Sequence, residues 1–226
     1  MTIHVFVEGS SERALFEYWL PRILRDQYFR VHPHQGKGSL QGNLNDPPQV
    51  KARGLLDQLP AKLRAFSSTL NPEEDGVLIL LDADDDDPAE LKKRIEEVVE
   101  GCAPNIKVRV SVAVEETEAF YLGDLRALRR AYPTADLSKA RDYVPDSICG
   151  TWELFGQIID DDGGNKVAWA EAMGPHLTTQ PAQTRSPSFR GLIQHVNALV
   201  PGPVAAPHAR PYRHKSKTEK REGRRR

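Results

Sequence analysis

Glu8 ends an apolar run in "HVFVEGSSERALFEYWL", and Asp82 and Asp84 end another in "GVLILLDADDDDP". A third acidic group, Glu115, Glu116 and Glu118, follows a third such run in "VRVSVAVEETEAF". Carboxylates gathered from several strand ends repel one another unless a cation or protons offset their charge. Asp82 and Asp84 lie two apart, and in an extended segment that spacing aims both side chains the same way. Aligned oxygen ligands with open positions suit Mg²⁺ or Mn²⁺, which prefer hard donors and keep several waters. A solvated acidic turn explains the Asp run taken alone. Glu8 at a second strand end favours the metal.

Other chemistries fail on spacing. An EF-hand loop beginning at Asp82 requires Gly sixth and Glu twelfth, where the chain has Asp87 and Lys93. A P-loop ending at Lys37 requires Gly at position 31 and Ser or Thr at 38, where Val31 and Gly38 stand. "EGSSE" lacks the second glycine of a nucleophile elbow. The histidines form no HExxH, and isolated ones such as His176 and His195 read as structural. Cys102 and Cys149 have no CxxC spacing, which argues against a zinc ribbon or disulfide scaffold and for a reducing cytoplasm.

Four apolar runs and the helices between them must position these groups. Ile3, Val5 and Val7 alternate with His4 and Phe6 and predict a strand; Phe29–His34, Val77–Leu81 and Lys107–Val114 predict three more. "VLILL" is apolar throughout, as a central strand covered on both faces should be. Leu15, Phe16, Trp19, Leu20, Ile23 and Leu24 recur at helical spacing, with Ser10 or Ser11 as N-cap, and Pro21 should divide that helix. Residues 50–66 and a segment opened by Pro88 read as two more helices, and "EETEAFYLGDLRALRRAY" as another. Strands alternating with helices predict an α/β fold with a mostly parallel sheet. Its site should lie outside the C-terminal strand ends.

Beyond residue 125 the strand pattern stops, and "TWELFGQII", "KVAWAEAMGPHL" and "PSFRGLIQHVNALV" predict short helices. The organisation expected is an α/β catalytic domain over 1–125, a small helical C-terminal region over 126–204 and a disordered basic tail over 205–226. Residues 208–226 carry nine of the 31 basic and two of the 32 acidic residues, leaving an acidic body of 22 against 30. Such a tail, with Arg213, Lys215 and Lys217, suits nucleic-acid phosphates. A solvated tail without a dedicated partner is the alternative. No apolar run approaches the roughly 18–20 residues that span a bilayer, so no membrane association is expected.

"VFVEGSSE" and "LILLDADDD" resemble the Glu and DxD motifs of the Toprim fold, shared by topoisomerases, bacterial primases and nucleases of overcoming-lysogenization-defect type. "VAVEETEAFYLGD" and "SPSFRGLI" resemble a bacterial family of unknown function, DUF4276, whose members look like small Toprim proteins and often accompany ABC-type ATPases. The Toprim similarity covers roughly residues 1–125 and the narrower one reaches about residue 200. The resemblance implies a catalytic set of Glu8, Asp82 and Asp84, with Glu8 as metal ligand or acid/base. It adds Glu12 as ligand to a second ion, with Glu116 and Glu118 as further ligands. Lys37, Lys166 and Arg190 are candidate phosphate contacts.

The expectation is a Mg²⁺- or Mn²⁺-dependent nuclease hydrolysing phosphodiester bonds of DNA or RNA, in a setting suggestive of ATPase-coupled phage defence. Tyr18, Tyr28 and Tyr121 fall at apolar-face positions expected in the core, which argues against a topoisomerase. The chain's length argues the same way, and no zinc module supports a primase. Two readings from other classes stand beside it: a non-catalytic nucleic-acid-binding or regulatory subunit of an ABC-type or AAA ATPase complex, and a phosphotransfer domain using Asp82.

Overall fold

The computed structural model describes residues 2–25, 27–161 and 163–200. The basic stretch 205–226, with Arg213, Lys215 and Lys217, lies outside them. Four strands, β1 (Thr2–Val7), β2 (Tyr28–Pro33), β3 (Gly76–Asp82) and β4 (Lys107–Ala113), form one all-parallel sheet in the order β2-β1-β3-β4. Parallel neighbours require crossovers, and these are α1 (Ser10–Trp19) with α2 (Pro21–Leu24), α3 (Leu55–Thr69), and α4 (Pro88–Cys102). The chain steps outward from β1 to β2, then crosses back to place β3 on the other side of β1. That reversal opens a crevice at the C-terminal ends of β1 and β3.

The period-2 alternation of β3 explains how both faces are covered. Val77, Ile79 and Leu81 pack with α3 and α4 on one face. Leu78 and Leu80 point the other way, into a core shared with Ile3, Val5, Val7 and α1. Those side chains have no exposed surface, and each contributes about 1.5–3 kcal/mol by leaving water. The second core also takes in α5 (Glu118–Gly123), α6 (Leu125–Ala131), α7 (Thr151–Ile159), α8 (Lys166–Met173) and α9 (Pro187–Leu199). The C-terminal helices are thus built into the same core as the sheet, with α8 against α1 and α9 across β4.

Several elements differ from expectation for identifiable reasons. Helix α1 is capped by Gly9, not by a serine side chain, and Ser11 Oγ instead donates to Glu12 Oε1 at 2.7 Å. Pro21 begins α2, as its missing N–H allows at a first helical position. The single helix expected after β4 is two, broken at Asp124, whose carboxylate caps Ala127 N–H and also accepts Thr178 N–H at 2.8 Å. Tyr121 is buried as expected, but Tyr28 on the edge strand is 77% exposed and Tyr18 is 47% exposed. An edge strand has only one sheet neighbour, so Tyr28 lacks the cover that burial needs. Among the described residues, no helix is long and apolar enough to cross a membrane.

Candidate functional site

The register carries Glu8 one step past β1 and Asp82 to the last position of β3, so both reach the crevice. There the Glu8 Oε1 accepts the Asp82 backbone N–H at 2.8 Å. Pairing between β3 and β4 continues past the strands, through Ala83 N–H to Ala113 O and Asp84 N–H to Glu115 O, both at 2.9 Å. This ties the acidic loop of β3 to the segment carrying Glu116 and Glu118. Glu12, one turn into α1, is buried, and its carboxylate folds back over Gly9, where an added Cβ would stand 3.3 Å from Oε2.

Five carboxylates therefore surround the crevice, and several of their oxygens have no partner. Asp82 Oδ1, Glu116 Oε2 and both oxygens of Glu118 are sealed from solvent without a hydrogen bond. Buried polar atoms are normally paired, and unpaired ones call for a proton, an ion or a water. Burial, then Glu12 and Glu8, push the Asp82 carboxyl well above the usual range. Burial also raises Glu8 to about 7, against the lowering effect of the Asp82 N–H. Glu118 rises to about 7 through burial, which outweighs the nearby Lys166. A carboxyl near 7 is poised to exchange a proton at neutral pH.

Asp84 is placed differently from its neighbour. The strand ends at Asp82, and Asp84 has a left-handed backbone (φ +49°), so the two side chains do not share an extended segment. Lys37 Nζ lies 3.1 Å from Asp84 Oδ2 and 2.7 Å from Asp86 Oδ2, and donates to Ala83 O at 2.8 Å. Lys37 is held there because Gly36 and Lys37 carbonyls accept the Leu55 and Leu56 N–H groups at the start of α3. A close approach of Gly38 to Gly54 leaves no room for a Cβ on either.

Lys166 occupies the opposite flank. Its Nζ lies 2.7 Å from Glu116 Oε1 and 3.8 Å from Glu118 Oε2. Burial opposes its charge, yet Glu118 and Glu116 outweigh burial and hold the ammonium above the usual lysine range. Both lysines thus act as counter-ions within the crevice. Arg190 is elsewhere engaged, donating to the Pro181 and Thr184 carbonyls.

Two residues stand in surroundings that sequence spacing did not single out. Glu115, read with its neighbours as part of the acidic group, accepts the Cys149, Gly150 and Thr151 N–H groups at 3.1, 2.7 and 3.2 Å. It anchors the start of α7, and both of its oxygens are occupied by those donors. Tyr121, expected only as core, is raised well above the usual phenol range by burial and by Glu118, Glu12 and Asp82. Its place three residues after Glu118, one helical turn on, was the available signal.

These oxygens, none of them in a hydrogen bond, are hard donors of the kind a divalent cation prefers. Asp82, Glu116 and Glu118 would hold it, with Glu8 and Glu12 beside them. As the side chains stand, however, no group of three or more Asp, Glu, His or Cys among the described residues is arranged to hold a metal ion. Residues 7–197 match the family model described as "Domain of unknown function (DUF4276)". The chain belongs to the DUF4276 family. The family's span begins at the end of β1 and runs nearly to the end of α9, so it takes in every residue of the crevice. No curated protein and no solved structure matches the chain.

Proposed function

We propose that this DUF4276 protein is a metal-dependent nuclease of Toprim type, hydrolysing phosphodiester bonds of DNA or RNA in a Mg²⁺- or Mn²⁺-loaded crevice. The observation that supports it is the set of four buried carboxylate oxygens without a hydrogen bond, on Asp82, Glu116 and Glu118, at the switch point. A divalent ion bound there would polarise the phosphoryl group and lower the pKa of water. Glu8, oriented by the Asp82 N–H and titrating near 7, is placed to take or return a proton. Lys37 and Lys166, on opposite flanks, would exchange carboxylates for phosphate oxygens as the substrate enters. The test is cleavage of single- and double-stranded DNA and RNA with Mn²⁺ or Mg²⁺. A parent chain that cuts, and that stops cutting with Glu8→Gln or Asp82→Ala, supports the reading.

A second reading is a regulatory or nucleic-acid-binding subunit of an ABC-type ATPase complex. The Lys166 ammonium favours it, because it already neutralises part of the Glu116 and Glu118 charge that a metal would need. A chain that cuts no nucleic acid alone, or with an ATPase encoded beside it, while still binding nucleic acid, decides for this reading.

A further inference from the structure

Beside the crevice lies a cavity of about 440 Å³ against α7 that hydrolysis itself does not use. Trp152 forms part of its wall, with Lys139, Glu153, Gln157, Asp160 and Asp161. A second cavity of about 330 Å³ shares Lys139, Glu153 and Gln157 and continues along the same helix. Lys166 joins the first cavity to the crevice: the Nζ that lies 2.7 Å from Glu116 stands 5.6 Å from the centroid of the Trp152 ring. A ligand contacting both would have a planar part at Trp152 and an anionic part at Lys166.

The lining narrows the chemistry. Trp19 and Trp169 are fully buried, whereas Trp152 is only partly buried against the core, with Lys166 Nζ over its ring as a group that a stacking base would share it with. Glu153, Asp160 and Asp161 repel phosphate and accept N–H groups. Lys139, whose Nζ donates to the Gln157 carbonyl at 2.7 Å, offsets only one of these three charges, so the wall stays acidic. Asp161 is held in place as an acceptor by Trp169 Nε1 at 2.7 Å and Gly163 N–H at 2.9 Å. A flat, neutral group with N–H donors along one edge suits an aromatic ring beside carboxylates, and a nucleobase is such a group. Guanine suits it best, because its N1–H and 2-amino groups present adjacent donors to a carboxylate.

We infer that this cavity is a nucleobase subsite, which seats an unpaired guanine-type base against Trp152 while the neighbouring phosphate lies at Lys166 and the crevice. It rests on the nuclease reading and specifies its substrate: a base seated here has left any duplex stack, so single strands or unpaired positions are preferred. Base stacking on an aromatic side chain changes affinity by roughly 5- to 150-fold.

The experiment measures binding in Ca²⁺, with no bond broken. Intrinsic tryptophan fluorescence of the parent is titrated with GMP, UMP and ribose 5-phosphate, and binding of a labelled eight-nucleotide single strand is followed by anisotropy for the parent, Trp152→Ala and Trp152→Phe. GMP is expected to quench the fluorescence, to bind about tenfold more tightly than UMP, and to exceed ribose 5-phosphate by more. Trp152→Ala should weaken the oligonucleotide at least fivefold, and Trp152→Phe should recover most of the loss. Ribose 5-phosphate binding as well as GMP, or parental affinity in Trp152→Ala, overturns the subsite. If Trp152→Ala does not fold by circular dichroism, the comparison of GMP with ribose 5-phosphate on the parent decides alone. A chain that cleaves without base discrimination loses the subsite and keeps the nuclease. One that discriminates bases but never cleaves loses the nuclease reading and keeps the subsite.

Discussion

Glu8 and Asp82 are 74 positions apart in the chain, yet Glu8 Oε1 accepts the Asp82 backbone N–H at 2.8 Å. The contact spans the junction between β1 and β3 and orients one carboxylate at the mouth of the crevice, while Asp82 Oδ1 beneath it remains partnerless. Glu8→Gln keeps the size of the side chain and removes the charge. Cleavage at saturating Mn²⁺ should fall by about 10²-fold or more, the scale on which a positioned acid or base acts, with the circular dichroism spectrum unchanged. Glu17→Gln, which loses only an exposed pair with Arg13, is the control and should leave the rate alone. Parental cleavage by Glu8→Gln would remove Glu8 from the chemistry.

A divalent ion that binds only the folded crevice raises the melting temperature. Mn²⁺ or Mg²⁺ should do so for the parent, and Asp82→Ala combined with Asp84→Ala should abolish the shift. The same double variant loses a carboxylate oxygen that has no partner but places Ala at the left-handed position 84, so its metal-free stability should stay near the parent's. Lys37 retains Asp86 and the Ala83 carbonyl. A full metal-induced shift in the double variant would sink the assignment of Asp82.

The raised carboxyls make stability depend on pH in a defined direction. Glu8 and Glu118 titrate at about 7 in the folded chain against 4.5 ordinarily. Between those values the folded chain holds more protons than the unfolded one, so metal-free stability falls as pH rises through the window. His32, lowered to about 4 chiefly by burial, acts oppositely, and its contribution is lost as pH falls from 6.5 towards 4. Glu118→Gln removes only part of the first slope. Thermal melts in EDTA should show the variant gaining on the parent more at pH 8 than at pH 5. An equal offset at both pH values contradicts the raised Glu118.

Glu115 should behave as an anchor. Glu115→Ala leaves three N–H groups at the start of α7 without their carboxylate, a loss of about 1–3 kcal/mol on the usual scale for stranded donors. Chemical denaturation would read it. The metal-induced shift in melting temperature should survive; its disappearance would place Glu115 among the ligands.

Removal of residues 208–226 takes away nine Lys and Arg. Nucleic-acid binding should weaken at low salt, and the slope of log K against log salt should flatten. An unchanged slope would mean that phosphate is met elsewhere.

The apolar period and the breaker residues of the chain determined the elements almost alone. "VLILL" is apolar on both faces and became β3, Pro21 and Pro88 opened helices, and Glu8 and Asp82 were placed at strand ends because strands end where apolar alternation does. Local patterns carry that information because backbone propensity and side-chain period act within a few residues. They do not carry charge partners. Which acids remained unpaired was decided by packing: α8 brought Lys166 to Glu116 and Glu118, and the loop before α3 brought Lys37 to Asp84. Asp84 turned away through a left-handed backbone that its spacing from Asp82 did not foretell, and Glu115 was claimed by the N–H groups of a helix about 35 positions downstream. Hydrogen bonds and ion pairs act over a few ångströms, so only the tertiary structure, which makes distant segments neighbours, determines which carboxylates are satisfied and which remain open to an ion.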